Sequence, residues 1–156
     1  MKSLKQLCTP RSSVFDASKR DTVLNLTHLV EDKIDGAEFF EETWVTVGMH
    51  TLLVEAFRRM QGKSQQALFK LTQAMGGGKT HNLITLGMLA KHPQFRAQVL
   101  AGLPTATDLA NVRVVAFSGR ETDVAHGVWG EIARQLGKFD AFKDYYQPLK
   151  APGRSA

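Results

Sequence analysis

The sequence predicts an α/β fold, with a parallel sheet between two layers of helices (αβα), because short apolar runs alternate with helical patterns. Residues 67–72 (ALFKLT) and 112–117 (VRVVAF) have the composition of buried strands. Helical patterns follow these runs, at residues 80–92 and 127–137. Such alternation predicts parallel strands that are joined by right-handed crossover helices.

The clearest helix is predicted from the spacing of apolar residues between positions 49 and 60. They recur three and four residues apart, which places them on one helical face: Met49, Leu52, Leu53, Ala56, Phe57 and Met60. Gly62 follows as a helix stop. Residues 80–92 are apolar on nearly every side, which predicts a helix that other layers cover. Residues 127–137 also form one apolar face, from Val128, Trp129, Ile132, Ala133 and Leu136.

The remaining segments are shorter. Residues 22–30 (TVLNLTHLV) are apolar, but periodicity does not distinguish a strand from a helix over this length. Residues 43–47 are β-prone and are a candidate for a further strand. The stretch after Pro93 predicts one or two more helical turns, and residues 139–148 predict a short helix that Pro148 ends.

Composition and cysteine content indicate one globular domain in a reducing compartment. The chain has 156 residues, of which 43% are hydrophobic and 22% charged, as in ordinary soluble proteins. No run approaches the ~20 apolar residues that span a bilayer, and the start, MKSLKQLCTP, lacks the apolar run of a secretory signal. The single cysteine, Cys8, excludes an internal disulfide and lies in a polar terminus. We therefore expect a cytoplasmic protein without a membrane segment.

The net charge of +5 is unevenly distributed, with an acidic stretch at residues 21–48 and a basic one at residues 49–100. The basic side chains are scattered and lack the arginine-rich run or interleaved aromatic series of a nucleic-acid surface. The sequence therefore does not predict direct DNA binding. Most of these charges are interpreted as a solvated helix face: Arg58, Arg59, Lys63, Lys70, Lys91 and Arg96.

A glycine-rich stretch between the first predicted strand and the helix at residues 80–92 predicts a phosphate-binding turn. It reads QAMGGGKT (residues 73–80). Glycines let backbone N–H groups turn toward an anion, and the following helix adds the positive end of its dipole. In the pattern G-x-x-x-x-G-K-[ST], the lysine reaches the β- and γ-phosphates and the hydroxyl binds Mg²⁺. Lys79 and Thr80 take these roles here, so Thr80 is the predicted metal ligand.

The predicted ligands are ATP and Mg²⁺, held by the turn and the residue after it: Gln73, Ala74, Met75, Gly76, Gly77, Gly78, Lys79, Thr80 and His81. Gln73 stands where the pattern has its first glycine, and Gly76 and Gly77 can take the unusual backbone angles instead. His81 could contact the phosphates or serve a structural role, and the second interpretation is favoured. A flexible loop with a chance Gly-Lys-Thr is disfavoured because apolar segments bound it on both sides.

Three stretches resemble the N-terminal part of large bacterial AAA+-like P-loop ATPases, of the kind encoded beside DNA methyltransferases in anti-phage (BREX/Pgl-like) defence loci. They read FFEETWVTVGMHTLLVEAFRRM, LTQAMGGGKTHNLITLGMLAKHPQF and VWGEIARQLG. The resemblance covers most of the chain and only the front of such an ATPase. The loop of that family also tends to read Gln, two residues, three glycines and Lys-Thr-His, which makes Gln73 a family variant.

The resemblance implies a partial P-loop NTPase domain with a helical lead-in, acting as the front part of an ATPase. It implies that residues 46–53 help to enclose the adenine, with Thr46, Val47 and Gly48 as candidates. A helix over residues 49–60 that only packs is an equally open interpretation, and the two are compatible. The implied partners are the rest of a larger ATPase or other proteins of a defence complex.

The acidic residue that holds Mg²⁺ in P-loop enzymes, at the end of a later strand, is not evident. Glu31 and Asp32 precede the turn, while Glu121 and Asp123 follow no apolar strand. We therefore predict no catalytic residue, leave hydrolysis open, and expect a fragment truncated before that strand. The alternative functions are a non-catalytic nucleotide-sensing or protein-interaction module of a defence complex, or an inactive remnant.

These expectations divide the chain into four segments. Residues 1–20 are a flexible N-terminal segment, and residues 21–62 are a lead-in with the amphipathic helix and a candidate adenine-side lid. Residues 63–150 are the partial nucleotide-binding domain, and residues 151–156 are a tail.

Overall fold

The structure is a computed structural model that describes residues 24–104, 112–119 and 126–143, together with the single positions 8, 9, 15, 108 and 109. The predicted tail and most of the predicted flexible N-terminal segment lie outside these residues. In chain order, the described helices are α1 (Leu26–Val30), α2 (Gly36–Glu42), α3 (Val47–Met60), α4 (Lys79–Lys91), a 3-10 turn (Pro93–Phe95), α5 (Arg96–Val99), α6 (Gly127–Gln135) and α7 (Phe139–Lys143).

The predicted α/β fold with its parallel sheet is wrong. The described residues contain helices and irregular segments but no β-strand, so a three-layer αβα P-loop fold has no support. Residues 67–72 are irregular, and Leu68 is 81% exposed where a buried strand was expected. A strand is stabilised by hydrogen bonds to a neighbouring strand. Residues 67–72 and 112–117 do not form such hydrogen bonds with each other.

Residues 112–117 lie beside α4 without forming a strand, and part of their backbone is satisfied by a side chain instead. The amide N–H of Ala116 donates to Gln135 Oε1 at 3.0 Å, and Gln135 Nε2 donates to the Ala116 carbonyl at 2.8 Å. A side-chain amide from α6 thus makes the pair of bonds that a neighbouring strand would make. Val114 packs against the core, so the apolar character of this run is used for packing.

Residues 43–47 do not form the candidate strand either, because their threonines cap helices. Thr43 Oγ1 donates to the Phe39 carbonyl at 2.7 Å, at the end of α2. Thr46 Oγ1 accepts from the amide N–H of Met49 at 3.2 Å and begins α3. A threonine hydroxyl that bonds to nearby backbone competes with strand pairing and favours a helix end.

The amphipathic helix predicted at residues 49–60 is confirmed as α3, and the ambiguous segment at residues 22–30 contains the short helix α1. The predicted apolar face of α3 is buried except at Met60, which is 38% exposed. Gly62 has a φ of 74°, as expected of a residue that ends a helix in the left-handed region. The core joins this face to α1, α2 and α4: Leu29, Phe39, Phe40, Met49, Leu53, Phe57, Ile84, Met88 and Leu89.

The apolar helix α4 is confirmed and lies under other helices, as its composition predicts. Its side chains at Ile84 and Leu89 are fully buried. Helix α1 packs on it at Gly87, where an added Cβ would lie 2.4 Å from Leu29 Cδ2. Glycine therefore permits the close approach of α1 to α4.

Substitution of Gly87 by alanine is expected to lower the free energy of unfolding by about 1–2 kcal/mol. The added methyl group has no space beside Leu29, which outweighs the gain of up to ~1 kcal/mol in helix propensity. Gly48→Ala in α3 is the matched control, since its Cβ would be 3.9 Å from its nearest neighbour. Urea unfolding checks both variants, and a Gly87→Ala variant as stable as Gly48→Ala would contradict this packing.

Arg96 does not belong to a solvated helix face, which corrects the interpretation of the scattered basic charges. Its side chain is 3% exposed, and its Nε donates to the Leu89 carbonyl at 2.7 Å. Nη2 donates to the Ala90 carbonyl at 3.1 Å and Nη1 to the Pro104 carbonyl at 3.0 Å. The guanidinium thus caps the C-terminus of α4, where helix carbonyls lack intrahelical donors.

Helix α6 is confirmed over Gly127–Gln135, but its predicted apolar face is not buried within the described residues. Trp129 is 71% exposed and Val128 is 39% exposed. Helix α7 packs against α6 at residues 139–143, and the rest of the predicted short helix lies outside the described residues. None of the described helices is both long and apolar enough to cross a bilayer.

Candidate phosphate-binding site

The glycine turn lies on the surface at the entrance to α4. Residues 73–78 are exposed, and the Gly77 N–H donates to the Ala74 carbonyl at 3.1 Å. Gly76 and Gly78 have φ values of 81° and 71°, which side chains disfavour, so the prediction of such angles is confirmed at Gly76 and wrong at Gly77. At Gly77 an added Cβ would lie 2.8 Å from Gln73 Cβ, so the turn closes tightly without side chains.

The N-terminus of α4 is open to an anion. Its first intrahelical hydrogen bond runs from the Asn82 N–H to the Gly78 carbonyl at 2.9 Å. The N–H groups of Lys79, Thr80 and His81 precede this bond and therefore have no intrahelical acceptor. Gly78 supplies no side-chain cap, and the first turn of α4 contains no acidic residue. The positive end of the helix dipole is therefore not neutralised locally.

Lys79 extends back across the turn. Its Nζ donates to the carbonyls of Gln73 at 2.8 Å and Ala74 at 2.9 Å. An ammonium group has three N–H donors, so these bonds leave one for a ligand. Within the described part of the chain no carboxylate pairs with Lys79. The positive charge therefore remains available beside the turn.

His81 has a structural contact, as the favoured interpretation expects, and it also lines the space beside the turn. Its ring packs on Phe39 with centroids 4.8 Å apart, and its Nε2 lies 3.1 Å from Thr43 Oγ1. The one hydroxyl proton of Thr43 goes to the Phe39 carbonyl, so Thr43 accepts from the Nε2–H group of His81. Burial lowers the pKa of His81 from its ordinary value.

The lowered pKa of His81 predicts a loss of stability in acid. The unfolded chain binds a proton near pH 6.5, whereas the folded chain resists it. The stabilisation is therefore fully present above about pH 6.5 and is lost as the pH falls toward the folded pKa. We expect the melting temperature to fall less between pH 7.5 and 5.5 in His81→Gln than in the native chain. His50→Gln, at an exposed position, is the control and should retain the native pH dependence.

A hollow of about 560 Å³ lies between the turn and the start of α3. This volume is in the range of small-molecule sites. The hollow brings together predicted turn residues and all three candidates for adenine contact. Its lining consists of Trp44, Thr46, Val47, Gly48, Met49, Gln73, Gly77, Gly78, His81 and Asn82.

The other predicted site residues lie outside this lining. Ala74, Met75 and Gly76 form the outer part of the turn, and Met75 is 97% exposed. Thr80, the predicted metal ligand, is exposed in the first turn of α4. The residues that were predicted to form one site therefore lie in three places: the outer part of the turn, the start of α4 and the lining of the hollow.

Two lining residues were missed by sequence reasoning. Trp44 is 84% exposed, and Asn82 is 8% exposed. The Nδ2 group of Asn82 donates to the Gly78 carbonyl at 2.9 Å, while its Oδ1 is buried without a hydrogen-bond partner. The only sequence signal for them was their position, within the aromatic stretch before α3 and directly after Lys-Thr-His.

The acidic residues considered for a metal lie elsewhere or outside the described residues. Asp32 pairs with Lys91 at the C-terminal end of α4, and Lys91 lies about 18 Å from Lys79 along the helix axis. Glu121 and Asp123 are outside the described residues. Among those that are described, no three His, Cys, Asp or Glu side chains are grouped as metal ligands.

Comparison with known families supplies one match. The family model described as the DUF499 N-terminal domain matches residues 5–116, which is most of the chain. The matched range includes the glycine turn and every lining residue of the hollow. No curated protein and no solved structure matches the chain.

Proposed function

We propose that this chain, which belongs to the DUF499 N-terminal domain family, binds ATP with Mg²⁺ at the turn of residues 73–80. The observation that carries the proposal is the exposed N-terminus of α4. There the Lys79 ammonium and the N–H groups of the first helical turn lie together without an acidic neighbour in that turn. Such an arrangement attracts a polyphosphate through both charge and backbone hydrogen bonds.

Each residue of the turn has a role in this proposal. The N–H groups of residues 78–81 donate to phosphate oxygens, and Lys79 neutralises part of the negative charge. Thr80 offers a hydroxyl to Mg²⁺, which commonly retains several waters and bridges to substrate phosphates. A side chain at Gly77 would collide with Gln73, so glycine is needed there for the turn to keep the shape that is proposed to hold the phosphates. The proposal is of binding and assigns no catalytic residue.

The resemblance to AAA+-like ATPases of defence loci suggests which ligand and which partners the proposed site has. We take from it the ligand, ATP, and the partners, which are the rest of a larger ATPase or other proteins of a defence complex. The fold of those ATPases is not part of the proposal, because the regular secondary structure of the described residues is helical. Binding at this turn would report nucleotide levels to those partners or prepare the nucleotide for use by them.

Thermal unfolding in the presence of ligand tests the proposal. A ligand that binds only the folded chain raises its stability by about 2.7 kcal/mol at 100 times the dissociation constant. We expect saturable stabilisation by ATP·Mg²⁺ and by inorganic tripolyphosphate, and less by AMP at equal concentration. Potassium chloride of equal ionic strength is the control for general screening. Absence of stabilisation by either triphosphate at millimolar concentration would refute binding at this turn.

A further inference from the structure

The backbone of residues 67–72 leaves its hydrogen-bonding groups unpaired. Each of these residues has an amide N–H and a carbonyl, and none of these groups has a hydrogen-bond partner within the part of the chain that the structure describes. The bonds of the flanking residues stop at Gln66, whose N–H donates to Ser64 Oγ at 3.2 Å, and resume at Gln73, whose carbonyl accepts from Lys79. The groups between them are therefore available to another chain.

The burial of these side chains alternates along the segment as it does in a β-strand. Leu68, Lys70 and Thr72 are exposed, whereas Phe69 and Leu71 are half-buried. In an extended segment successive side chains point to opposite faces, and successive N–H groups point to opposite edges. The segment therefore has the form of a strand edge, although no other strand lies beside it within the described residues.

Both ends of this segment are held by side chains of helices. Before it, the Ser64 carbonyl accepts a hydrogen bond from Arg59 Nη1 of α3 at 3.1 Å. After it, Lys79 Nζ at the start of α4 donates to the carbonyls of Gln73 and Ala74. A segment that is already held at both ends loses less conformational freedom when it binds, which favours the docking of another chain.

The charge of this region indicates the kind of partner. The sequence has no acidic residue from position 56 to position 107, so the segment and its flanks carry only the positive charges of Lys63, Lys70 and Lys79. A second copy would bring these same charges together, and like charges across a strand pair are destabilising. Lys70 on an exposed edge therefore opposes self-pairing and favours a partner strand with carboxylates.

We propose that residues 67–72 are a docking edge to which an extended acidic segment of a partner protein adds as a β-strand. Backbone hydrogen bonds hold the partner, and Lys70 pairs with a carboxylate opposite it. Leu68, 81% exposed on the same side of the segment, adds an apolar contact. The inference concerns a contact between two proteins and does not depend on the proposed nucleotide binding. Because the edge ends where the glycine turn begins, a docked partner lies beside the proposed phosphate site.

Amide hydrogen exchange followed by NMR tests the edge with a synthetic probe, a peptide of alternating valine and glutamate that is blocked at both ends. In the chain alone, we expect the amides of residues 67–72 to exchange nearly as fast as those of an unstructured peptide. With the peptide at millimolar concentration, strand addition predicts slower exchange at every second residue, because alternate N–H groups share an edge. Slower exchange at none of these residues, or equally at all of them, would contradict strand addition. The same peptide methylated on its backbone nitrogens is the control and should have no effect.

Charge reversal at Lys70 tests the choice of partner. The native chain should bind the valine–glutamate peptide more tightly than a valine–lysine peptide, and Lys70→Glu should remove this preference. Lys70→Ala removes one surface ion pair and should weaken binding of the glutamate peptide by up to about fivefold. Lys138→Glu makes the same charge change at an exposed residue between α6 and α7, and should keep the native preference. Circular dichroism of each variant confirms folding before these comparisons.

The possible failures are distinguishable. If exchange at residues 67–72 slows when the chain is concentrated without peptide, the edge pairs with a second copy and the acidic partner is wrong. If the native chain binds both peptides equally, charge does not select the partner and that assignment is wrong too. A chain that binds ATP·Mg²⁺ but shows no alternating protection refutes this inference alone. A chain that shows alternating protection but is not stabilised by ATP·Mg²⁺ refutes the proposed function alone.

Discussion

Arg96→Ala is expected to lower the free energy of unfolding by about 3–5 kcal/mol, a large part of the total for a domain of this size. The substitution leaves three buried carbonyl groups, on Leu89, Ala90 and Pro104, without the donors that the guanidinium supplies. It also removes a cation–π contact, since the guanidinium carbon lies 5.0 Å from the centre of the Phe57 ring. Urea unfolding followed by circular dichroism measures the loss.

Arg59→Ala is the matched control for Arg96. Arg59 is exposed and donates from Nη1 to the Ser64 carbonyl at 3.1 Å, so its loss should cost less than about 1 kcal/mol. Arg96→Lys keeps a positive charge but lacks the planar fork, and we expect intermediate stability. A cost for Arg96→Ala below about 1 kcal/mol would mean that the end of α4 does not depend on this side chain.

Lys79→Ala is expected to weaken ATP·Mg²⁺ binding by about 10- to 100-fold, because charge-assisted hydrogen bonds to phosphate are among the stronger polar contacts. The stability of the unliganded chain should change little, since the hydrogen bonds of Lys79 within the described residues go to carbonyls of the exposed turn. Isothermal titration calorimetry of ATP and of tripolyphosphate measures the effect. Both ligands should be affected alike, because the ammonium contacts phosphate and not base.

The control for Lys79 must remove the same charge from another position. Lys70→Ala does so at an exposed residue of the segment before the turn. A general attraction of anions to a basic surface predicts equal losses in the two variants, each small and dependent on salt. Binding at the turn predicts a large loss in Lys79→Ala only. Equal losses would contradict the proposed site.

The helices that the sequence predicted well are those whose signals are local. Apolar spacing in α3 and continuous apolar composition in α4 determine helices wherever those segments lie in the chain. Turn chemistry is local too, so the left-handed glycines at Gly62 and Gly76 follow from the sequence, whereas the positive φ predicted for Gly77 lies at Gly78. The glycine turn and the helix start at Lys79 were therefore predictable.

The strands failed because strand formation depends on a distant partner. Residues 67–72 and 112–117 have strand-like composition, yet neither finds a backbone partner within the described residues. The side-chain amide of Gln135 instead bonds to the backbone N–H and carbonyl of Ala116. No sequence pattern predicts that a side chain will make these backbone hydrogen bonds. Composition shows only that a segment can adopt a strand conformation, whereas pairing with a neighbouring strand decides whether a strand forms.

The candidate site was predicted in part for a similar reason. Contiguous residues 73–81 are visible as a motif, but the hollow combines the turn with a connection some thirty residues earlier. Trp44 and Asn82 have no sequence pattern of their own, and Arg96 resembles any surface arginine. Their roles come from burial and from neighbours that only the folded chain assembles.

Backbone amide NMR during titration with tripolyphosphate and Mg²⁺ tests the central claim most directly. If phosphate binds at the start of α4, the largest saturable shifts will be those of the amides of residues 76–81, and Lys79→Ala will require about 10- to 100-fold more ligand to reach them. Shifts that are spread over exposed lysines and do not saturate, or that spare residues 76–81, would contradict the account.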